Sequence, residues 1–304
     1  MAVLVTGASG FVGRHLVSRL TADGVDVVAG SRTGEKLSGK FPTVKLDVTQ
    51  EPDFLHLPSN IDSVIHLAAQ TSRDGLTPSI IGCVNVSGLG TYNLLNWCLN
   101  SNVRRVVYAS TQMVYGAPEY SLVDELHSTH PHGSHANYAI GKLLGEVFCN
   151  RVRADYHLSC IALRFSRIYG CGESPGFVIT RFIERARASR DLTVYGEGKS
   201  GRDLLYVGDA VAAIILALMP PQPTCQGIYN IGSGRVTPIR DLAETIARVF
   251  SESKSRVRFD MTRPDRDDDF CLDITKAQRE LGFIPEYSLE GGMTEYRKEL
   301  ECLK

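Results

Sequence analysis

The sequence predicts an α/β fold: a doubly wound parallel sheet, followed by a smaller C-terminal α/β region. Three observations carry this. Val3-Leu4-Val5-Thr6-Gly7-Ala8-Ser9-Gly10-Phe11-Val12-Gly13 runs from an apolar strand into a Gly-x-x-Gly-x-x-Gly turn and then a helix. Short apolar runs then alternate with helical patterns, as βαβ crossovers under a sheet covered on both faces require. The chain has 304 residues, 43% of them hydrophobic, with no internal repeat and no low-complexity linker, which favours two packed domains or one large α/β domain with an appendage.

Strands are expected at Ala2–Thr6, Asp26–Ala29, Thr43–Leu46, Ser63–Leu67, Arg105–Ala109 and Ser159–Leu163. Helical segments lie between them at Val12–Ala22, Val86–Asn100 and Asn137–Arg153. The second half changes character. Phe177–Arg190 and Val207–Leu218 read as helices, the latter ended by Pro220-Pro221-Gln222-Pro223. A short strand at Ile228–Ile231 and helices at Ile239–Phe250 and Ile274–Leu281 complete the reading. The two halves are expected to meet at a cleft along the carboxyl ends of the parallel strands.

A formal charge of −1 provides no global basic field, which argues against nucleic acid as a partner. No apolar run approaches the ~20 residues of a membrane span. The chain enters a strand at once, so no signal peptide is expected. Eight cysteines (83, 98, 149, 160, 171, 225, 271 and 302) are scattered without a Cys-x-x-Cys pair. They read as small core residues in a reducing compartment, and a cytoplasmic location is expected.

The glycine turn points to a ligand. Gly7 lets the chain turn sharply off the strand, Gly10 lets backbone amides approach a pyrophosphate, and Gly13 lets the helix pack closely on the sheet. Unpaired N–H groups and the positive dipole end of the helix then face the phosphates of a dinucleotide.

Tyr138-Ala139-Ile140-Gly141-Lys142 opens a helix and sets Tyr138 and Lys142 at i and i+4, on one face. A tyrosine with the ordinary pKa of about 10 is a poor base at neutral pH, and lowering it to about 7 takes roughly 4 kcal/mol. An ammonium at about 4 Å supplies a comparable term at an effective dielectric of about 20. Desolvation takes part of that back, so the positive charge of an oxidised nicotinamide is expected to help. Upstream, Ser110-Thr111 follows the strand Arg105–Ala109, with Val114-Tyr115-Gly116 close behind. A hydroxyl there can bond a substrate oxygen and share its proton with the tyrosine.

With these motifs in this order, the chain resembles an extended short-chain dehydrogenase/reductase of the nucleotide-sugar epimerase/dehydratase family. The resemblance also takes in Leu46-Asp47-Val48, His66-Leu67-Ala68-Ala69, Asn85-Val86, Leu163-Arg164-Phe165, Tyr169-Gly170, the run Gly201–Asp209 and Arg263-Pro264. It implies a Rossmann-type dinucleotide-binding domain over 1–168 and a substrate-binding region over 169–304, of which about 206–232 packs back on the first domain. It assigns the cofactor to Gly7, Ser9, Gly10, Phe11, Val12 and Gly13, with Asp47 and Val48 at the adenine. Leu67, Ala68, Ala69, Asn85, Ser110, Tyr138 and Lys142 complete that set. By the same resemblance Tyr138 is the acid/base, Thr111 its hydroxyl partner, and Lys142 also holds the nicotinamide ribose.

The second strand ends in Ser31-Arg32, where an acidic residue would bind the 2′-hydroxyl of NAD. A hydroxyl and a guanidinium suit a 2′-phosphate instead, so NADP is favoured, with NAD the alternative. On the substrate side the resemblance sets Arg202 and Arg263 on the diphosphate of a nucleotide-sugar. Arg167 stands where the family usually has asparagine, and is either a third phosphate contact or the filling of a smaller sugar pocket. Gln112-Met113 replaces the acidic residues that family dehydratases and decarboxylases carry after Ser-Thr, and neither side chain exchanges a proton near neutrality. 4,6-Dehydration is therefore disfavoured. Hydride transfer at a sugar carbon, C4 by expectation, remains, as epimerisation or as reduction of a 4-keto sugar. Gln112, Thr111 and Tyr138 are the expected sugar contacts.

Other signals are set aside. His127, His130, His132 and His135 crowd one loop without the spacing of a metal motif, so no metal is expected. Asp265–Asp269 reads as a solvated loop, and His66 as a packed strand-end residue. The resemblance also implies a homodimer through the helices Val86–Asn100 and Asn137–Arg153, with Leu89, Leu95, Leu143 and Val147 as interface candidates. The competing reading is a dinucleotide-binding regulator without catalysis, which would have no need of Thr111, Tyr138 and Lys142 together.

Overall fold

The computed structural model describes residues 2–34, 41–71, 77–118, 121–220, 225–250, 255–265 and 270–302. Its strands are β1 (Ala2–Thr6), β2 (Asp26–Ser31), β3 (Thr43–Lys45), β4 (Ile61–His66), β5 (Arg105–Thr111), β6 (Leu122–Val123), β7 (Ser159–Phe165) and β8 (Arg167–Tyr169). These are followed by β9 (Leu192–Tyr195), β10 (Gly201–Tyr206), β11 (Gly227–Ile231), β12 (Val236–Pro238), β13 (Val257–Asp260) and β14 (Cys271–Leu272). The α-helices are α1 (Phe11–Ala22), α2 (Ile80–Cys83), α3 (Gly90–Leu99), α4 (Ala136–Tyr156), α5 (Val178–Arg187), α6 (Val207–Leu218), α7 (Ile239–Phe250), α8 (Thr275–Leu281) and α9 (Leu289–Cys302).

Seven strands form one sheet in the order β11-β7-β5-β4-β1-β2-β3, every pair parallel. Alternate residues of each strand enter different cores, as the period of two demands. Val3, Val5, Val27 and Ala29 join Leu16, Val17 and Leu20 of α1 and Ala210, Ala213 and Ile214 of α6. Leu4, Val28 and Val64 join Leu94, Leu95 and Cys98 of α3 and Cys149 of α4 on the other face. The strand order reverses between β1 and β4, which opens a crevice at their carboxyl ends. Smaller sheets (β12-β10-β8, β13-β9 and β14-β6) stand beyond that edge.

Several boundaries differ from the sequence reading. β5 runs through Thr111 and β7 through Phe165, so Ser110 and Thr111 belong to the strand. The segment expected as Val86–Asn100 starts at Ile80, capped by Ser79, and passes through a π-helical stretch at Val84–Leu89 before α3. Gly82, Gly88 and Gly90 blur its apolar period; a Cβ at Gly90 would stand 2.5 Å from Val48. The expected helix Phe177–Arg190 ends at Arg187, just before Ser189 takes a left-handed φ of 53°. α9 was not foreseen, since Gly291-Gly292 reads as a break. A Cβ at Gly292 would lie 2.1 Å from the Tyr169 hydroxyl, so close packing of α9 needs that glycine. Pro221 to Pro223, and Arg266 to Asp269 of the acidic loop, lie outside the described residues.

The turn after β1 tolerates no side chain at Gly13, where a Cβ would meet the Gly7 carbonyl at 2.3 Å. Gly13→Ala should destabilise the protein by about 1–3 kcal/mol through overpacking, read from urea unfolding midpoints. An unchanged midpoint would contradict the close approach.

Candidate active site

Gly7 takes a φ of +69°, and a Cβ there would stand 2.8 Å from the Ala68 amide at the end of β4. The chain therefore crosses the crevice at van der Waals contact and enters α1 with Gly10 as its N-cap. No side chain caps this end, and its first turn carries no acidic residue, so its amides face an anion without competition. Ser9, Phe11 and Val12 line the same turn, half-buried. Leu67, Ala68 and Ala69 form the opposite lip; the Leu67 and Ala68 amides are fixed by Thr6. This cradle, which side chains at 7 or 13 would fill, fits the pyrophosphate of a dinucleotide.

Thr6 also orders His66. Thr91 donates its hydroxyl to the Ser87 carbonyl (2.6 Å), so it accepts from His66 Nε2 at 3.0 Å, and His66 Nδ1 accepts from Thr6 Oγ1 at 2.7 Å. Burial, with the Lys142 charge behind it, pulls this imidazole down to about 3. His66 is a neutral hinge between strand end and helix.

At the adenine end the side chains are partly spent on the fold. Ser31 is buried and accepts from the Gly34 amide at 3.1 Å. Val48 packs into the core against Gly90, so any adenine contact is left to its backbone. Asp47 Oδ1 caps its own turn through Thr49. Arg32 and Asn85 are exposed.

α4 approaches the sheet unusually closely. A Cβ at Gly141 would meet the Cys83 carbonyl at 2.6 Å, and one at Gly145 the Tyr108 hydroxyl at 2.2 Å. This seats Lys142, 1% exposed, with Nζ donating to the Ala109 carbonyl at 2.6 Å. Nζ lies 4.9 Å from the Tyr108 ring centroid and 5.9 Å from that of Tyr138. Burial brings the ammonium down to about 8, against the pull of Glu146. The Tyr138 ring keeps an exposed edge, yet burial of its phenol, with Cys83 nearby, pushes it up to about 12. The expected acidification by Lys142 is outweighed by this burial.

Thr111 ends β5, largely buried, and accepts from the Met113 amide at 3.3 Å. Gln112 is buried beside it, with Oε1 unpartnered. Ser110, expected at the cofactor, donates its hydroxyl to the buried Glu146 carboxylate, on the strand face opposite to Thr111.

On the substrate side, Arg167 pairs with Glu173 at 2.7 Å and stacks over Phe177 at 4.1 Å. Burial raises the Glu173 carboxyl to about 7, with Arg167 opposing, and its Oε1 has no partner. Arg202 opens β10, half-buried, and bonds the Gly201 carbonyl. Arg263 stacks over Tyr195 at 4.6 Å. Asp203 is buried and bonds Ser233 and the Leu272 amide, while Asp265 holds the turn at Glu197 and Ser200. His135, set aside in the sequence with the other loop histidines, belongs here. Partial burial, then the charges of Arg167 and Arg202, hold its pKa below the ordinary value. Its position three residues before Tyr138 was the available signal. Among the described residues no group of three or more His, Cys, Asp or Glu side chains is placed to hold a metal, and no helix is long and apolar enough to cross a membrane.

The fold and this crevice define a dinucleotide-binding α/β protein with a tyrosine–lysine helix at the carboxyl edge of its sheet. The sequence profile of the NAD dependent epimerase/dehydratase family matches residues 3–232, and the chain belongs to that family. It is 33% identical over 314 residues to a UDP-glucose 4-epimerase of Mycolicibacterium smegmatis, covering 96% of each chain. It is 31% identical to a UDP-N-acetyl-alpha-D-glucosaminuronate decarboxylase of Bacillus cytotoxicus, covering 96% of this chain and 95% of the relative. The crystal structure of a UDP-glucuronic acid 4-epimerase variant from Bacillus cereus, solved with a fluorinated UDP-sugar and NAD, superposes with a TM-score of 0.85 at 25% identity over the whole of both chains.

His66 carries a pH signature. Its folded pKa lies below the unfolded value of 6.5, so the unfolded chain binds the proton first. Stability from this group is present above pH ~6.5 and is lost toward pH ~3, by up to about 1.4 kcal/mol per pH unit. His66→Gln should flatten the acid limb of the stability profile measured by denaturant titration; parallel profiles would show that His66 does not titrate in this way.

Proposed function

We propose that this chain is an NAD(P)-dependent enzyme of nucleotide-diphosphate sugars, exchanging hydride at C4 as a 4-epimerase. The observation that carries the reading is that Lys142, on the helix of Tyr138, bonds Ala109 near the carboxyl end of β5, which Thr111 closes, in the same sheet whose β1 leads into the α1 N-terminus without a side-chain cap. A nicotinamide dinucleotide held by Gly7–Gly13, Leu67–Ala69 and Lys142 supplies the hydride chemistry. Tyr138 takes the proton of a sugar hydroxyl and returns it to the ketone oxygen, while Thr111 holds that oxygen in line. Burial holds the phenol up at about 12, and a bound oxidised nicotinamide would supply positive charge that favours its deprotonated form. Arg167 and Arg202, whose charges both bear on the neutral imidazole of His135, and Arg263 over Tyr195 are the cations proposed for the diphosphate. Gln112 and Met113 exchange no proton, which disfavours 4,6-dehydration. UDP-sugars, named in the relatives above, are the first class to assay.

A second reading, 4-keto-sugar reduction with exchangeable NADPH, rests on exposed Arg32 at the end of β2. A homodimer is supported by an exposed apolar face: Ile81, Leu89, Tyr92 and Val147 are 47–70% exposed. Leu95, by contrast, is 1% exposed and belongs to the core. A cytoplasmic location fits eight free thiols, seven of them buried.

Tyr138→Phe should lower kcat by about 10²–10⁴-fold while cofactor affinity stays near wild type; turnover at the original rate would remove the acid/base role. Arg32→Ala should reduce the preference for NADPH over NADH in titrations with both cofactors, and an unchanged ratio would leave NAD as the cofactor. Sedimentation at micromolar concentration should give the mass of two chains; the mass of one would reject the dimer.

A further inference from the structure

Glu146 lies on α4 four residues beyond Lys142 and eight beyond Tyr138, so helical spacing sets all three on one face. Its side chain is 2% exposed and is gripped from two strands. Arg164 of β7 donates to it through Nε at 2.9 Å and Nη2 at 2.6 Å, and Ser110 of β5 donates its hydroxyl to the same carboxylate. Arg164, 4% exposed, also donates Nη1 to the Tyr115 hydroxyl at 2.9 Å, which in turn donates to Asn230 at 2.8 Å.

Stability alone is a weak reason to bury such a pair, because apolar residues of similar volume often serve a fold as well. Lys142 supplies a better one. Its ammonium has three N–H donors and one hydrogen-bonded carbonyl, in a setting almost closed to water. The groups around it are the Tyr108 ring from β5, His66 from β4, Cys83 from α2, and Tyr138, Glu146 and Cys149 from α4. His66 is neutral and the thiols and phenols are protonated near neutral pH, so Glu146 is the negative charge among them.

We infer that Glu146 is a positioning residue for proton transfer: clamped by Arg164 and Ser110, its carboxylate keeps the Lys142 ammonium charged beside Tyr138. The inference rests on the roles proposed above for Tyr138 and Lys142. Burial draws Lys142 down to about 8, and Glu146 is the strongest opposing influence. The bidentate arginine fork fixes the carboxylate one helical turn from Lys142, whose ammonium bonds the Ala109 carbonyl instead.

The test is Glu146→Gln in the full chain, which keeps the shape and the acceptor for Ser110 but removes the charge. The Lys142 side chain is followed by NMR of labelled lysine, with its signal assigned from Lys142→Met. The midpoint should fall by about one pH unit or more, and the alkaline limb of kcat should move down by the same amount with KM unchanged. Glu146→Asp should restore the midpoint. Because Glu146→Gln leaves Arg164 unpaired, Glu146→Gln/Arg164→Gln provides a version without a stranded charge, and it should show the same downward shift. A Lys142 midpoint equal to wild type in either charge-removing variant overturns the inference. A lowered midpoint in a protein that turns over no nucleotide-sugar supports the electrostatic role and rejects the enzymatic reading instead.

Discussion

Burial of the Lys142 ammonium is the constraint on which the rest of the site depends. A charge taken out of water costs several kcal/mol unless its surroundings compensate it, and here the compensation is assembled from three elements. β5 provides the Ala109 carbonyl and the Tyr108 ring, β7 the arginine that steadies Glu146, and α4 both Glu146 and the lysine itself. The approach of α4 to the sheet is possible only because Gly141 and Gly145 face Cys83 and Tyr108 without side chains. The Tyr108 hydroxyl then bonds the Lys142 carbonyl at 3.1 Å, tying the helix backbone to the strand beneath.

Elsewhere, polar side chains removed from water bond the backbone of distant segments, the two aspartates accepting amides and the asparagine donating to carbonyls. Asp203 gathers Ser233 and Leu272, and Asp209 accepts the amides of Glu286 and Tyr287 at 2.9 and 3.2 Å. Asn230 bonds the carbonyls of Val123 and Asp273 and reaches back to Tyr115. Long connections without regular structure are thereby fastened to α6, β10 and β11, and β8 and β10 carry Arg167 and Arg202 beside them. Glu173 departs from this pattern. One carboxyl oxygen pairs with Arg167 while the other is buried without a partner, and burial raises its pKa to about 7.

Much of this was legible in the chain. The glycine turn, the spacing of Tyr138 and Lys142 and the ends of α6 and α7 follow from local rules about φ, helical period and strand alternation. Glu146 was legible in principle, one turn beyond Lys142, but a lone glutamate on a helix reads as surface until Arg164 is set against it. The side-chain packing of Ser110 against Glu146 and of Val48 beside Gly90 could not be read from the chain. Histidine crowding drew attention to metals, whereas the arginines of β8 and β10 are what give His135 its setting.

Local rules thus decide which residues turn, which face a core, and that a tyrosine and a lysine share one helix face. Long-range packing decides the charge state of those groups. It sets how far the ammonium stands from the phenol, which hydroxyl faces the cleft, and which carboxylate balances the lysine. The reason is physical: φ preference and periodicity act over a few residues, but desolvation and Coulomb energies depend on neighbours brought together from distant parts of the chain.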